Sequence, residues 1–263
     1  MHQLDLFRDS PATSGFARSD EVTRPVIVPD TMEDEELLAA LPHAGIAGSI
    51  ALAEEAGRRR ITAAILALEA LCRRFAAFGA DRIVPEQAAA IDALAQIAGT
   101  EAAQALARLI TRKVLQGPCL HRALSAAARL GARLPAATTL ELLRHDDPAI
   151  RAVACRFVLR SPETVALLRD LLDDLQRPVR RAAACALGLL GRKDARPLLV
   201  RYLREEPATE LIEAVAPIAD EECVILLGRI ARTMPHLRAA ALDALETVEH
   251  PQASRLAAEM RVS

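Results

Sequence analysis

A chain of 263 residues that is 52% hydrophobic but only 2% aromatic, with no Trp and one Tyr, must build its core from Ala, Leu, Ile and Val. The net charge is −2, and no apolar run reaches the roughly 18 residues a membrane-spanning helix needs. The first residues, MHQLDLFRDS, are too mixed for a secretory leader, so the expectation is a soluble cytoplasmic protein.

Residues 1–32 read as a flexible tail, with Pro11, Gly15, Pro25 and Pro29 and no helical period. Thr31, three residues before Asp34, suggests a capping arrangement for the first helix. Residues 33–84 are expected to form a helical N-terminal cap: a helix over 33–41, a second over 46–56 and a longer one over 59–78. From Pro85 to the end, helices are expected to pair regularly, about six pairs in all. The pairs cover 86–98 with 101–115, 119–130 with 136–144 and 149–159 with 162–172. They continue with 178–190 followed by an apolar series from Ala195 to Tyr202, then 209–219 with 221–232 and 236–248 with 251–261. The unit LQRPVRRAAACALGLLGRKDARPLLVRYLREE, residues 175–206, shows the logic. Pro178 starts a helix without losing a needed N–H. Val179, Ala182, Ala183, Ala186, Leu187 and Leu190 make one apolar face. Gly191 stops the helix in a left-handed conformation.

Equivalent helix starts at Pro148, Pro178, Pro207 and Pro235 repeat at about 30 residues. A period of that length means stacked helix pairs, none of which buries its apolar stripe alone. DPAIRAVACRFVL and RPVRRAAACALGLLG resemble HEAT repeats of the short, phycobilisome-lyase-like type. The resemblance is strong over 147–206, moderate over 207–261 and weak over 85–146, where Val-Arg is missing. It implies an all-α, HEAT-like solenoid of antiparallel helix pairs. It also implies a ladder in which Arg151, Arg180 and Arg238 pair with acids such as Asp147 and Asp174 between repeats. Glu210 stands where Arg is expected, so the ladder should break at the fifth unit.

Chemistry is sparse. The cysteines, Cys72, Cys119, Cys155, Cys185 and Cys223, include no C-x-x-C pair and read as reduced, buried hydrophobes. The histidines form no metal-type pairs, and His145-Asp146-Asp147 reads as a turn in which Asp caps the next helix. No glycine-rich phosphate loop follows a strand. Gly117 and Gly131 read as helix stops. Neither catalytic residues, a metal site nor a cofactor is expected.

Charge is uneven, running −7 over residues 1–101, +11 over 102–204 and −6 over 205–263. One reading is a series of solvated Arg faces. The other is that Arg108, Arg112, Lys113, Arg122, Arg129, Arg133, Arg181 and Arg192 line one surface that takes phosphates or an acidic partner. With so few aromatics, a duplex backbone or acidic protein suits this surface better than a single strand.

The sharpest motif is Gln3-Leu4-Asp5-Leu6-Phe7. It resembles the peptide by which many bacterial replication and repair proteins bind the sliding clamp. The resemblance implies that Leu6 and Phe7 enter an apolar pocket while Gln3 hydrogen-bonds in a smaller one. The sequence thus points to a non-enzymatic scaffold or adaptor for protein partners. Its alternative is a DNA-associated accessory factor tethered to the clamp by its tail and touching DNA through its basic middle.

Overall fold

The computed structural model describes residues 28–262. Among them are helices and turns and no strand. The first three helices are α1 (Asp34–Ala40), α2 (Ile46–Arg58) and α3 (Ile65–Arg74). Then follow α4 (Pro85–Ile97), α5 (Gly99–Thr111), α6 (Gly117–Arg129), α7 (Ala136–Leu143), α8 (Pro148–Ala154) and α9 (Pro162–Asp170). The chain continues through α10 (Arg177–Leu189), α11 (Arg196–Glu205), α12 (Thr209–Val215), α13 (Glu221–Thr233), α14 (Arg238–Thr247) and α15 (Pro251–Val262). The all-α solenoid expected from the 30-residue period is what forms.

Local chemistry explains the boundaries. Proline sits in the first turn of α4, α6, α8, α9, α10 and α11, where its missing N–H costs nothing. Asp147, Ser161 and Asp220 each accept a backbone N–H at the start of α8, α9 and α13. Four helices end alike. At α6 and α10, Gly131 and Gly191 take positive φ, and the next N–H reaches back to Ala127 and Leu187 at 2.9 Å. At α2 and α5 the left-handed residue is Arg60 or Lys113, with Ile61 and Val114 donating to Ala56 and Leu109.

Three expectations need correction. The long helix over 59–78 is broken, because Arg60 adopts φ +56° and closes α2; only α3 remains of it. Thr31 does not cap α1; its hydroxyl donates to the Val28 carbonyl at 3.0 Å. The capping box belongs instead to Glu33 and Glu36. Gly117 does not stop a helix; it opens α6 at φ +47°, pressed against the carbonyls of Gly79 and Ala80.

Packing makes two layers. Each even-numbered helix from α2 to α14 packs on the next, giving a continuous inner layer. The odd-numbered helices cover the other side, with α5 against α7 and α9 against α11 only sparsely in touch. From α5 to α13 the even layer is the more closely stacked of the two. Two glycines permit close approach between helices of the even layer. A Cβ on Gly57 would lie 2.7 Å from the Ala93 Cα, and one on Gly188 would lie 2.3 Å from the Ala214 carbonyl oxygen. One apolar cluster, from Leu37 to Met260, threads the whole array and includes Leu187, which is fully buried.

The first helices are tied down by charge. Arg59 donates to the carbonyls of Pro29, Asp30 and Met32 and to Asp34, fixing the 3-10 turn Pro29–Thr31 against α2. Arg58 and Arg59 hold the Glu55 carboxyl down to about 2. Glu69, only 1% exposed, accepts from Arg73 and, at 2.7 Å, from Arg108. Gln87 donates to the last carbonyls of α3, those of Cys72 and Phe75, at 3.0 Å each.

Candidate functional site

An open groove of about 660 Å³ crosses the even layer between α6 and α12. Its floor is made of small side chains: Ala128, Ala152, Val153, Ala182 and Cys185. These positions are small because the Ala-rich stripe of each repeat continues past its buried face. Leu189 stands at one end, 53% exposed. The rims differ in charge. Arg156 and Arg181 stand over α8 and α10, and Glu210 and Glu213 over α12. Arg181 donates to Glu210 at 2.8 Å, tying α10 to α12 across the groove.

The groove carries no poised nucleophile. Burial pushes the thiols of Cys155 and Cys185 up to about 12, so both are protonated at neutral pH. All five cysteines are free thiols. No group of three His, Cys, Asp or Glu suited to a metal occurs among the described residues. His145 instead accepts the Asp147 N–H on its Nδ1 at 3.0 Å, while Asp147 caps α8 through the Ala149 N–H at 2.8 Å.

The ladder residues divide by role. Arg151 reaches across repeats to Asp174, 3.0 Å away, and also donates to the carbonyls of His145 and Asp146. Arg180 donates to the carbonyls of Asp174 and Leu175 and meets no carboxylate among the described residues. Arg238 donates to the Met260 carbonyl. Glu210, in the Arg position of its repeat, accepts from Arg181, so the contact at the fifth unit is reversed in polarity.

Of the eight basic residues, four are engaged by acids. Arg108 is engaged with Glu69, Lys113 with Glu141 at 2.9 Å, Arg122 with Asp92 at 2.6 Å, and Arg181 with Glu206 and Glu210. Arg112, Arg129, Arg133 and Arg192 are exposed and have no ion pair among the described residues. Sequence reasoning missed Arg156, Arg160 and Lys193, which are also exposed and unpaired among the described residues. Their signal was present, because each follows the end of a helix one repeat on from another cation. Gln3, Leu4, Asp5, Leu6 and Phe7 lie outside the described residues.

Charge also closes the C-terminal side. Although burial alone would push the Asp220 carboxyl up, Arg196 and the Cys223 backbone N–H hold it down to about 2. No helix among the described residues is long and apolar enough to cross a membrane.

No curated protein matches the chain. The family model for HEAT repeats matches residues 136–219, the stretch from α7 through α12 that forms most of the groove. The chain is therefore an all-α solenoid whose central repeats are similar to HEAT repeats.

Proposed function

We propose that this chain is a non-enzymatic scaffold whose inner groove holds a helical segment of a protein partner. The observation that carries this reading is the groove floor, where Ala, Val and Cys leave room for larger apolar side chains. An amphipathic helix lays such side chains into a groove at three- and four-residue steps. The rims set its direction, with an acidic residue meeting Arg156 and a basic one meeting Glu213. The experiment compares proteins co-purifying from the native source with wild type, Ala182→Arg in the floor and Ala166→Arg on the opposite layer. A specific partner should fall at least tenfold with Ala182→Arg and persist with Ala166→Arg. The same protein set from all three would overturn the groove reading.

A second reading rests on Gln3-Leu4-Asp5-Leu6-Phe7 as a tether to the sliding clamp. Burying Leu and Phe contributes roughly 1.5–3 kcal/mol each, and ordering the segment costs about 2–5 kcal/mol. Backbone and Gln3 hydrogen bonds must supply the rest of an affinity on the order of 1–100 μM. Leu6→Ala with Phe7→Ala should abolish binding of the full chain to purified clamp, while Asp5→Ser should not. Equal binding by all three proteins would remove the tether.

A further inference from the structure

Each helix reverses the direction of the one before, so the even-numbered helices all end at the same edge of the array. Three successive turns on that edge each present two cations. They are Arg129 and Arg133 after α6, Arg156 and Arg160 after α8, and Arg192 and Lys193 after α10. All six are exposed, and none has an ion pair among the described residues. The nearby Asp194 is already taken by Arg169 at 2.6 Å. The next turn ends the row, where Asp220 and Glu222 engage Arg196. The opposite edge is acidic, with Asp146 and Asp147, Asp173 and Asp174, and Glu205 and Glu206 at its successive turns.

We propose that this edge binds the phosphate backbone of duplex nucleic acid. Packed helices lie 8–10 Å apart, so three turns spread six cations over about 20 Å. A duplex presents one phosphate per 3.4 Å on each strand, so that length faces about six phosphates of one strand. The edge lacks what a protein partner would need, because protein interfaces bury an apolar centre depleted of charge. Leu159, 42% exposed, and Leu189, 53% exposed at the last position of α10, are isolated apolar side chains along it. Phe157, the one aromatic side chain in these turns, is buried, which argues against a single strand, since that binds largely by stacking. Contacts to phosphate carry no sequence information, so binding should be indifferent to sequence. Arg156 belongs both to this edge and to the rim of the groove, but the other five cations do not line the groove, so either surface can fail without the other.

The test uses the full chain and a fluorescein-labelled 20-base-pair duplex, with no clamp present. Wild type should lose about 10³-fold in affinity between 50 and 200 mM salt, with a log–log slope near −5. Arg133→Gln, Arg160→Gln and Lys193→Gln together should flatten that slope by about 3 and weaken binding at least tenfold at 100 mM salt. Arg201→Gln, Arg229→Gln and Arg255→Gln, exposed on the odd-numbered layer, should leave the slope unchanged. Circular dichroism checks that both variants are folded. The proposal is overturned by no binding at 50 mM salt or by equal effects of the two variants. It is also overturned if a polyglutamate peptide binds the edge as tightly as the duplex, which would assign the edge to an acidic protein segment. An edge variant that binds normally but melts earlier would show that the cations only offset helix dipoles.

Discussion

Gly188→Ala is expected to destabilise the solenoid by about 3 kcal/mol, the upper part of the range for overpacking a full core. The added methyl would lie 2.3 Å from the Ala214 carbonyl oxygen, 2.8 Å from a Leu199 methyl and 3.0 Å from the Ala214 carbonyl carbon. Leu199 can rotate away, but the backbone of α12 cannot, so α10 and α12 must part. The same substitution at Gly191 separates two mechanisms. There the surroundings are open, and only φ +72° opposes a side chain, a cost of roughly 1–2 kcal/mol. Urea denaturation of both variants measures the difference. A loss under about half a kcal/mol for Gly188→Ala would mean that α10 and α12 are not held as closely as described.

Replacing Arg73 and Arg108 together by Ala should cost about 3–5 kcal/mol at neutral pH, the range for stranding a buried charge. Glu69 would then keep a buried carboxylate with neither guanidinium beside it. In the wild type, burial alone would raise its pKa, but Arg108 and Arg73 outweigh burial and hold it below the usual carboxylate range. A folded-state pKa below the unfolded one contributes stability that is present above the unfolded value and lost as pH falls through the folded one. In the double variant burial acts unopposed and the sign reverses. The variant should therefore recover stability as pH falls from 7 toward 5, where the wild type gains nothing. Parallel losses in the two proteins over that range would show that Glu69 finds other partners.

Much of the fold was legible in the sequence because its signals are local. Proline at Pro148, Pro162 and Pro178 and glycine at Gly131 and Gly191 mark helix ends through backbone preferences that need no tertiary contact. A break after the second helix was expected at 57–58, but its place at Arg60 was not legible, since Arg60 takes the place of a glycine there and nothing in its type announces a positive φ. The site was harder. The small residues of the groove look in sequence like any buried Ala stripe, and their exposure follows only from the width of that stripe. The basic block misled for a related reason. Position along the chain put Arg108 and Arg122 with Arg129 and Arg133, yet acids from a preceding repeat, Glu69 and Asp92, neutralise the first two. Pairing over 30 to 39 residues becomes visible only once the repeats are stacked.

The uneven odd-numbered layer has a mechanical consequence. The array behaves as a leaf spring with one stiff leaf, the closely stacked even helices, and two notches in the other. One notch, between α9 and α11, lies directly behind α10. Bending stress concentrates where the second leaf is interrupted, so flexure is expected at such notches. Flexure at that notch changes the separation of α8 and α12, which carry the two rims of the groove. The width of the groove, where the small side chains line the floor, is thus expected to respond to strain applied at the distant ends of the array.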